Sequence, residues 1–516
     1  MCMTSNWWIS VCTFAKFAIS RVPLWCVSLL ISPLFCGGCG NDVSKLASPS
    51  YEVEDGDITA RVVLLCGACH TVPDPASFPK DQWYHEVRQG FDFYLASGRT
   101  DLVLPPLNDV VTWFRSRAPT NLTLMRFASS ETSVRWHRET LRAPSVRHVS
   151  HVEFVAGVRA QLIISDMKAD SVSQFDFSSG RFGVSTNVKA SSPACVAITD
   201  LNGDGKVDYV VAELGTYLPG DHNFGRVSWL NAAADGTWKR TSLLEGVGRI
   251  ADVRPADIDN DGDVDLLVAE FGWRRTGRIL LLRQESQMFD QLRFRLEVLD
   301  ERHGAIHLPV ADIDADGDLD FVALVSQEFE EVDAFLNLGN GVFERQIIHL
   351  AGDPSFGSSG IQLVDFDRDG DLDVLYTNGD SLDSKYIKPY HGVRWLENTG
   401  DFPFISHQIA TLPGASRAIA TDIDRDGDLD VVASAWIPDD LRNSEDREDL
   451  YECLLWFERK SGEHFERHVM IETRRFGYLA IDASDFDGDG DIDIVAGWFG
   501  GPIQGDTGSV DIFWQR

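Results

Sequence analysis

One nine-residue pattern recurs six times in this chain: "DLNGDGKVD" from Asp200, "DIDNDGDVD" from Asp257, "DIDADGDLD" from Asp312, "DFDRDGDLD" from Asp365, "DIDRDGDLD" from Asp422 and "DFDGDGDID" from Asp485. Successive copies start 57, 55, 53, 57 and 63 residues apart. A period of that length marks an array of like supersecondary units, each too small to bury its apolar face alone.

Acids or asparagine fill positions 1, 3, 5 and 9 of every copy, and glycine is fixed at position 6. Glycine permits the positive φ that turns a chain about a central point, so alternate side chains converge. The ligand set expected of the first copy is Asp200, Asn202, Asp204 and Asp208, with Lys206 at position 7. In the others it is Asp257, Asp259, Asp261, Asp263 and Asp265; Asp312, Asp314, Asp316, Asp318 and Asp320; Asp365, Asp367, Asp369, Asp371 and Asp373; Asp422, Asp424, Asp426, Asp428 and Asp430; and Asp485, Asp487, Asp489, Asp491 and Asp493. Several charged oxygens in a flexible loop suit Ca²⁺ better than Mg²⁺, which holds its water, or Zn²⁺, which prefers nitrogen and sulfur. About six calcium ions are therefore expected. A calcium loop uses the backbone carbonyl at position 7, so Lys206 is expected to point away from the ion. Asx-turns holding no ion are the alternative.

The formal net charge is −34, and 28 of the 80 acidic residues lie in these loops. Divalent ions would offset much of that charge. A nucleic-acid partner is excluded, because phosphate binding needs a basic surface.

An EF-hand needs Glu at position 12, where this chain has Val211, Val268, Ala323, Tyr376, Ala433 and Ala496. Each loop runs instead into an apolar, β-rich segment such as "YVVAE" or "LLVAE", which predicts a strand. Further strand patterns follow, giving about four strands in roughly 55 residues, the content of a propeller blade. One unit upstream, "HVEFVAGVRAQLIISDM" with "SVSQFDFSSGRFGV", has blade-like strands and no acidic loop. The expected fold is mainly β: a seven-bladed β-propeller with six calcium loops over residues 130–516, the segment 134–143 closing the last blade as a clasp.

These loops resemble the VCBS/FG-GAP repeat family, the calcium-loop propellers typified by the integrin α-subunit head. All six copies match its D-x-[DN]-x-D-G-x-x-D motif. The resemblance implies the fold and calcium. It implies no single activity, since such propellers serve adhesion, glycan binding and catalysis.

A second chemistry precedes the propeller in "CGACH", Cys66 to His70. C-x-x-C-H is the c-type haem attachment signature: Cys66 and Cys69 would bond the porphyrin and His70 would ligate iron. A zinc knuckle would need a second paired motif, and a redox dithiol a βαβ context; neither is found. Residues 57–120 resemble a small cytochrome c domain, with helices expected in "PKDQWYHEVRQGFDFYL" and "PPLNDVVTWFRSRA". That domain would carry one covalent haem c. No methionine lies between His70 and Met125, so His85, Met125 or an open position would complete the iron.

Residues 1–39 read as an export leader with Cys39 as the lipidated residue, followed by a linker over 40–56. An uncleaved membrane anchor is the alternative. Cys195 and Cys453, in apolar segments, are read as buried thiols or, alternatively, a bridge. The expectation is thus an exported, periplasmic or cell-surface, lipid-anchored α-helical haem domain on a calcium propeller. It would transfer electrons to a redox partner and dock a protein or glycan on the long loops 215–226, 376–392 and 435–452. Calcium-dependent adhesion or carbohydrate binding, and a propeller-borne lyase or dehydrogenase, are the alternatives.

Overall fold

The computed structural model describes residues 57–141, 148–155, 160–178, 181–232, 238–286, 292–382, 384–442, 449–462, 464–501 and 510–516. The leader and Cys39 lie outside the described residues. None of the described helices is long and apolar enough to cross a membrane.

Three helices come first: α1 (Ile58–Cys66), α2 (Trp83–Ala96) and α3 (Leu107–Arg117). They pack through Val62, Trp83, Val87, Val110, Val111 and Phe114, with the Trp83 and Phe114 rings stacked at 4.1 Å. The apolar spacing on α3 fixes the buried face: Val110, Val111, Trp113 and Phe114 all turn inward.

The strands then form antiparallel sheets of blade size. The first is Val149–Val155, Gln161–Asp166, Ser171–Ser178 and Arg181–Lys189; the second is Pro193–Thr199, Asp208–Glu213, Gly225–Ala232 and Trp238–Val247. The third is Ile250–Ala256, Asp265–Glu270, Arg278–Ser286 and Arg293–Asp300. The fourth is Ala305–His307 with Val310–Ala311, Asp320–Val325, Glu331–Asn337 and Phe343–Leu350, and the fifth is Ser358–Val364, Asp373–Asn378, Gly392–Glu397 and Ile405–Thr411. The remaining strands form one eight-stranded sheet.

The expectation of seven separate blades is therefore corrected to five separate blades and one eight-stranded sheet. The cause is local. Asp430–Ile437 has eight residues where its counterpart Asp373–Asn378 has six, and its extra Trp436 and Ile437 pair with Gly477 and Phe476. That pairing joins the arm Ala415–Thr421, Asp430–Ile437, Tyr451–Ser461 and His464–Thr473 to the arm Phe476–Ser484, Asp493–Phe499 and Val510–Gln515.

The strand that follows each loop is buried along its whole length, as in Asp208–Glu213 and Asp265–Glu270. Its side chains fill the space between neighbouring blades: Val210, Ala212 and Trp229 of the second blade pack on Leu266, Val268 and Leu280 of the third. The first strands of the units touch in a closed cycle, from Val149–Val155 through Pro193–Thr199, Ile250–Ala256, Ala305–His307, Ser358–Val364, Ala415–Thr421 and Phe476–Ser484 back to Val149–Val155. They enclose an axial channel.

Trp136–Leu141 pairs antiparallel with Val510–Gln515, covering that strand and becoming the outer strand of the eight-stranded sheet. The joint is held by Asp511, which is 2% exposed. Its carboxylate accepts from Thr140 Oγ1 at 2.6 Å, from Arg138 at 2.8 Å and from the Tyr478 hydroxyl. Asp511→Ala strands the buried Tyr478 hydroxyl and is expected to lower unfolding free energy by about 3 kcal/mol, read as a lower urea midpoint.

Candidate functional site

Each acidic loop joins the first strand of a blade, or of an arm of the eight-stranded sheet, to its second. The position-6 glycines Gly262, Gly317, Gly370 and Gly427 have φ of 90°, 98°, 104° and 101°, as the motif requires. Position 4 is also left-handed: Asn260, Ala315, Arg368 and Arg425 have φ of 58°, 59°, 64° and 62°. Two αL residues within three positions curl each loop tightly enough to converge its carboxylates. Position-1 carboxylates then accept from the position-6 amide, as in Gly205 N to Asp200 at 2.7 Å and Gly262 N to Asp257 at 3.0 Å.

Side chains at positions 1, 3 and 5 come together in three loops, Asp257–Asp259–Asp261, Asp312–Asp314–Asp316 and Asp365–Asp367–Asp369, each with ligand atoms within 4.8 Å of one another. In a fourth, Asp422, Asp424 and Asp430 do so. Buried Oδ1 atoms of Asp259, Asp312, Asp365 and Asp422 have no hydrogen-bond partner among the described residues. Orphaned carboxylate oxygens facing one another are what a hard cation satisfies, so these residues fit Ca²⁺.

The ninth residue has a further task. Asp320, Asp373, Asp430 and Asp493 are at most 1% exposed. In Asp320 one oxygen accepts from Ile313 N at 2.8 Å and the other from Asn337 N at 2.6 Å; Asp373, Asp430 and Asp493 repeat that pattern. Position 9 thereby pins the loop to the third strand of its unit. Burial, reinforced by neighbouring carboxylates, pushes Asp430 and Asp493 up to about 7.

Lys206 departs from expectation. Its ammonium lies 3.0 Å from Asp204, folding back onto the position-5 carboxylate instead of pointing away. One oxygen of Asp204 is thus spent on an internal cation.

Cys66 closes α1, Cys69 is exposed in the turn that follows, and both thiols are free. Burial pushes Cys66 up to about 12. His70 Nδ1 lies 2.6 Å from the Thr71 carbonyl oxygen. A carbonyl only accepts, so Nδ1 carries the proton and Nε2 keeps its lone pair, the arrangement found in metal-ligating histidines. The helices and the segment between α2 and α3 also leave apolar side chains in solvent: Leu64 is 67% exposed, Leu95 63% and Val103 90%. Arg99 reaches the Cys69 sulfur at 3.0 Å, placing the segment after α2 beside this turn. Two thiols, a tautomer-fixed imidazole and uncovered apolar side chains fit a covalently held porphyrin.

Of the two suggested sixth ligands, His85 sits in the first turn of α2, about 16 Å of helix axis from Ala96. Met125 is exposed, next to Leu124, which packs on Ile437 and Tyr451. On the propeller, His303 bonds Glu328 at 2.8 Å. Although burial opposes its charge, Glu328 is held below the usual carboxylate range by His303.

Two of the long loops expected to face an external partner instead hold the protein's own helical segment. Lys388 lies 3.6 Å over the Phe78 ring, Tyr390 donates to Ser77 at 3.1 Å and Arg442 reaches Gln82 at 3.2 Å. A cleft of about 250 Å³ remains between them, lined by His85, Glu86, Glu330, Lys388 and Arg442 among others. Burial pushes Glu330 up to about 8 and Lys388 down to about 8.

The axial channel was not legible as a site. His151 Nε2 lies 3.2 Å from Glu153 and its imidazole also meets Cys195. Arg254 binds Asp252 at 2.9 Å, and Arg417 reaches across to His307 at 3.3 Å. The one available signal was period-2 alternation in "HVEF", which puts His151 and Glu153 on the same face of their strand; Cys195 packs in the apolar cluster with Val210, Ala212 and Leu266.

The description of the FG-GAP-like repeat matches residues 171–268 and 312–376, and the chain carries such repeats on a β-propeller arrangement. No curated protein matches it. Among solved structures it is similar to the Bacillus licheniformis rhamnogalacturonan lyase PL11, at 12% identity and a TM-score of 0.36, over 70% of this chain and 75% of that one. It is also similar to a periplasmic gluconolactonase of Pseudomonas aeruginosa, at 16% identity and a TM-score of 0.41, over 63% of this chain and 85% of that one. These likenesses say nothing of what this chain binds.

Proposed function

We propose that this is an exported, lipid-anchored electron-transfer protein: a c-type haem held by Cys66, Cys69 and His70 on a calcium-stabilised propeller that docks its redox partner. The observation that carries the reading is the His70 tautomer. With Nδ1 committed to Thr71 at 2.6 Å, only Nε2 is free to bind a metal, and the paired thiols stand within the same short motif. Bound haem would supply a one-electron couple. The chain's own residues hold and shield it: the thiols tether, His70 ligates, and Leu64, Leu95 and Val103 offer an apolar surface for the macrocycle.

The propeller's role is to fix this group against a rigid face. Arg274 lies 4.3 Å over the Phe93 ring, and Glu328, bonded to His303 at 2.8 Å, lies near His70. A carboxylate near the ligating histidine would favour the oxidised, more positive iron and lower the potential. Calcium in the acidic loops would hold the blades in register.

Export with the cytochrome maturation machinery tests the haem. The expected product keeps its haem stain through denaturing electrophoresis and shows a Soret band; Cys66→Ala/Cys69→Ala loses both. Correctly exported chain without covalent haem would end the reading.

A further inference from the structure

We propose that the cleft between the start of α2 and the propeller loops is a binding site for a small polyhydroxy carboxylate of hexuronate size, whose carboxylate is held by Lys388 and Gln327. Gln82, His85, Glu86 and Gln89 recur at helical spacing and turn one polar face of the helical segment into the cleft. The other walls come from three propeller segments, 326–330, 354–358 and 380–388. The site therefore exists only where the helical segment meets the propeller, and a ligand in it touches both.

Two donors on these walls lack acceptors. Lys388 is 2% exposed, and its ammonium lies 3.6 Å from the centre of the Phe78 ring while making no side-chain hydrogen bond or ion pair with the described residues. A ring face serves one of three N–H groups. Gln327 Nε2 is buried and has no hydrogen-bond partner among the described residues. Their neighbours are already committed: Gln82 accepts from Arg442 at 3.2 Å and donates to Glu86 at 2.6 Å, and Glu330 accepts from the amides of Gly357 and Ser358. No buried side-chain acceptor among the described lining residues is orphaned in the same way. Leaving an ammonium buried and unpaired is costly, and an anion in the cleft relieves that cost. Burial lowers Lys388, but Asp353, Glu86 and Glu330 limit the fall to about 8, so it is charged at pH 7. Gln327 and Glu330 are held at φ of 60° and 50°, left-handed backbone that non-glycine residues adopt at a cost and that clusters at ligand sites.

The remaining lining sets the ligand class. Glu86 and Glu330 offer carboxylate oxygens to ligand hydroxyls, and Phe78 and Phe271 offer apolar faces to a ring. The same two carboxylates repel a dianion, so a monoanionic carboxylate fits where a phosphate does not. A volume of about 250 Å³ equals roughly eight waters at about 30 Å³ each, enough for a single sugar acid and too little for an oligosaccharide. The chain carries a formal charge of −34 and repels anions over most of its surface. An anion retained here depends on Lys388, with the exposed Arg442 adding positive charge.

The probes are D-glucuronate and its neutral amide, D-glucuronamide, titrated calorimetrically into the full-length protein at pH 7 in saturating calcium. Glucuronate should bind at least about tenfold more tightly than the amide, the effect of one charge-assisted hydrogen bond. Lys388→Met keeps the apolar stem and removes the charge. It should erase the preference for glucuronate while keeping or raising the urea midpoint, because a buried unpaired charge has been lost. Gln327→Leu should weaken glucuronate by about tenfold, and it carries the same test should Lys388→Met not fold. Failure of glucuronate to bind, equal affinity for the two probes, tighter binding of inorganic phosphate, or a preference that survives in Lys388→Met overturns the proposal.

Discussion

Stripping divalent ions with EGTA is expected to lower the melting temperature by more than about 10 °C, the largest effect any single treatment should have on this protein. An ion present at a hundred times its dissociation constant stabilises the folded state by about 2.7 kcal/mol. Several such sites together rival the whole stability of an ordinary domain, about 5–15 kcal/mol. Removal also leaves clusters such as Asp312–Asp314–Asp316 with mutual repulsion and orphaned oxygens. The measurement is a calorimetric scan with and without chelator, with metal analysis of the stripped sample. A calcium-free protein that melts unchanged would refute calcium as the staple. The first loop, where Lys206 already occupies Asp204, should release its ion at the lowest chelator concentration.

Acid should be the second strong perturbant, acting through half-buried and buried histidines that the fold holds neutral. Burial and Arg417 drive His307 down to about 3; burial and Arg394 drive His349 down to about 4; burial with Lys388 drives His391 well below the ordinary value. The unfolded chain takes up these protons below about pH 6.5 while the folded protein does not. Stability is thus fully present above pH 6.5 and is lost as pH falls toward the folded values. Each histidine removes up to about 1.4 kcal/mol per pH unit, so three together remove about 3–4 kcal/mol between pH 6 and 5. His151, held up to about 10, works the other way, since its contribution disappears as pH rises from 6.5 toward 10. Urea midpoints at pH 7, 6 and 5 in saturating calcium isolate the effect from ion loss. His349→Gln should flatten the acid slope by about a third, and a midpoint flat from pH 7 to 5 would contradict the assignment.

The acidic loops were legible because a loop site is written in contiguous residues: the ligands, the glycine and the strand that follows lie within a dozen positions. The left-handed fourth position was not, since Arg368 and Arg425 announce nothing about their backbone. Strands and helices followed from apolar periodicity, but the joining of two arms into one eight-stranded sheet depends on two extra pairs, Trp436 with Gly477 and Ile437 with Phe476. Lys206 was misread because a long side chain bends to the nearest carboxylate. The channel was hidden for a different reason. It takes one or two residues from each of several distant strands, and each of them alone resembles an ordinary polar residue on a sheet.

The strand pairing that seals the sheet also constrains how the molecule is made. Thr140 and Asp511 are bonded across 371 positions, among the longest-range contacts the chain can form. Local blades can assemble as they emerge, because their hairpins close over short loops. The circle cannot. Until residues 510–515 arrive, Trp136–Leu141 has no partner and the last sheet shows a bare edge, so the loop-closure entropy falls due in one late step. High contact order in that step predicts slow final folding and a window in which two chains could exchange these strands. Under the export and calcium binding proposed above, that window would open on the far side of the membrane, where calcium would shorten it.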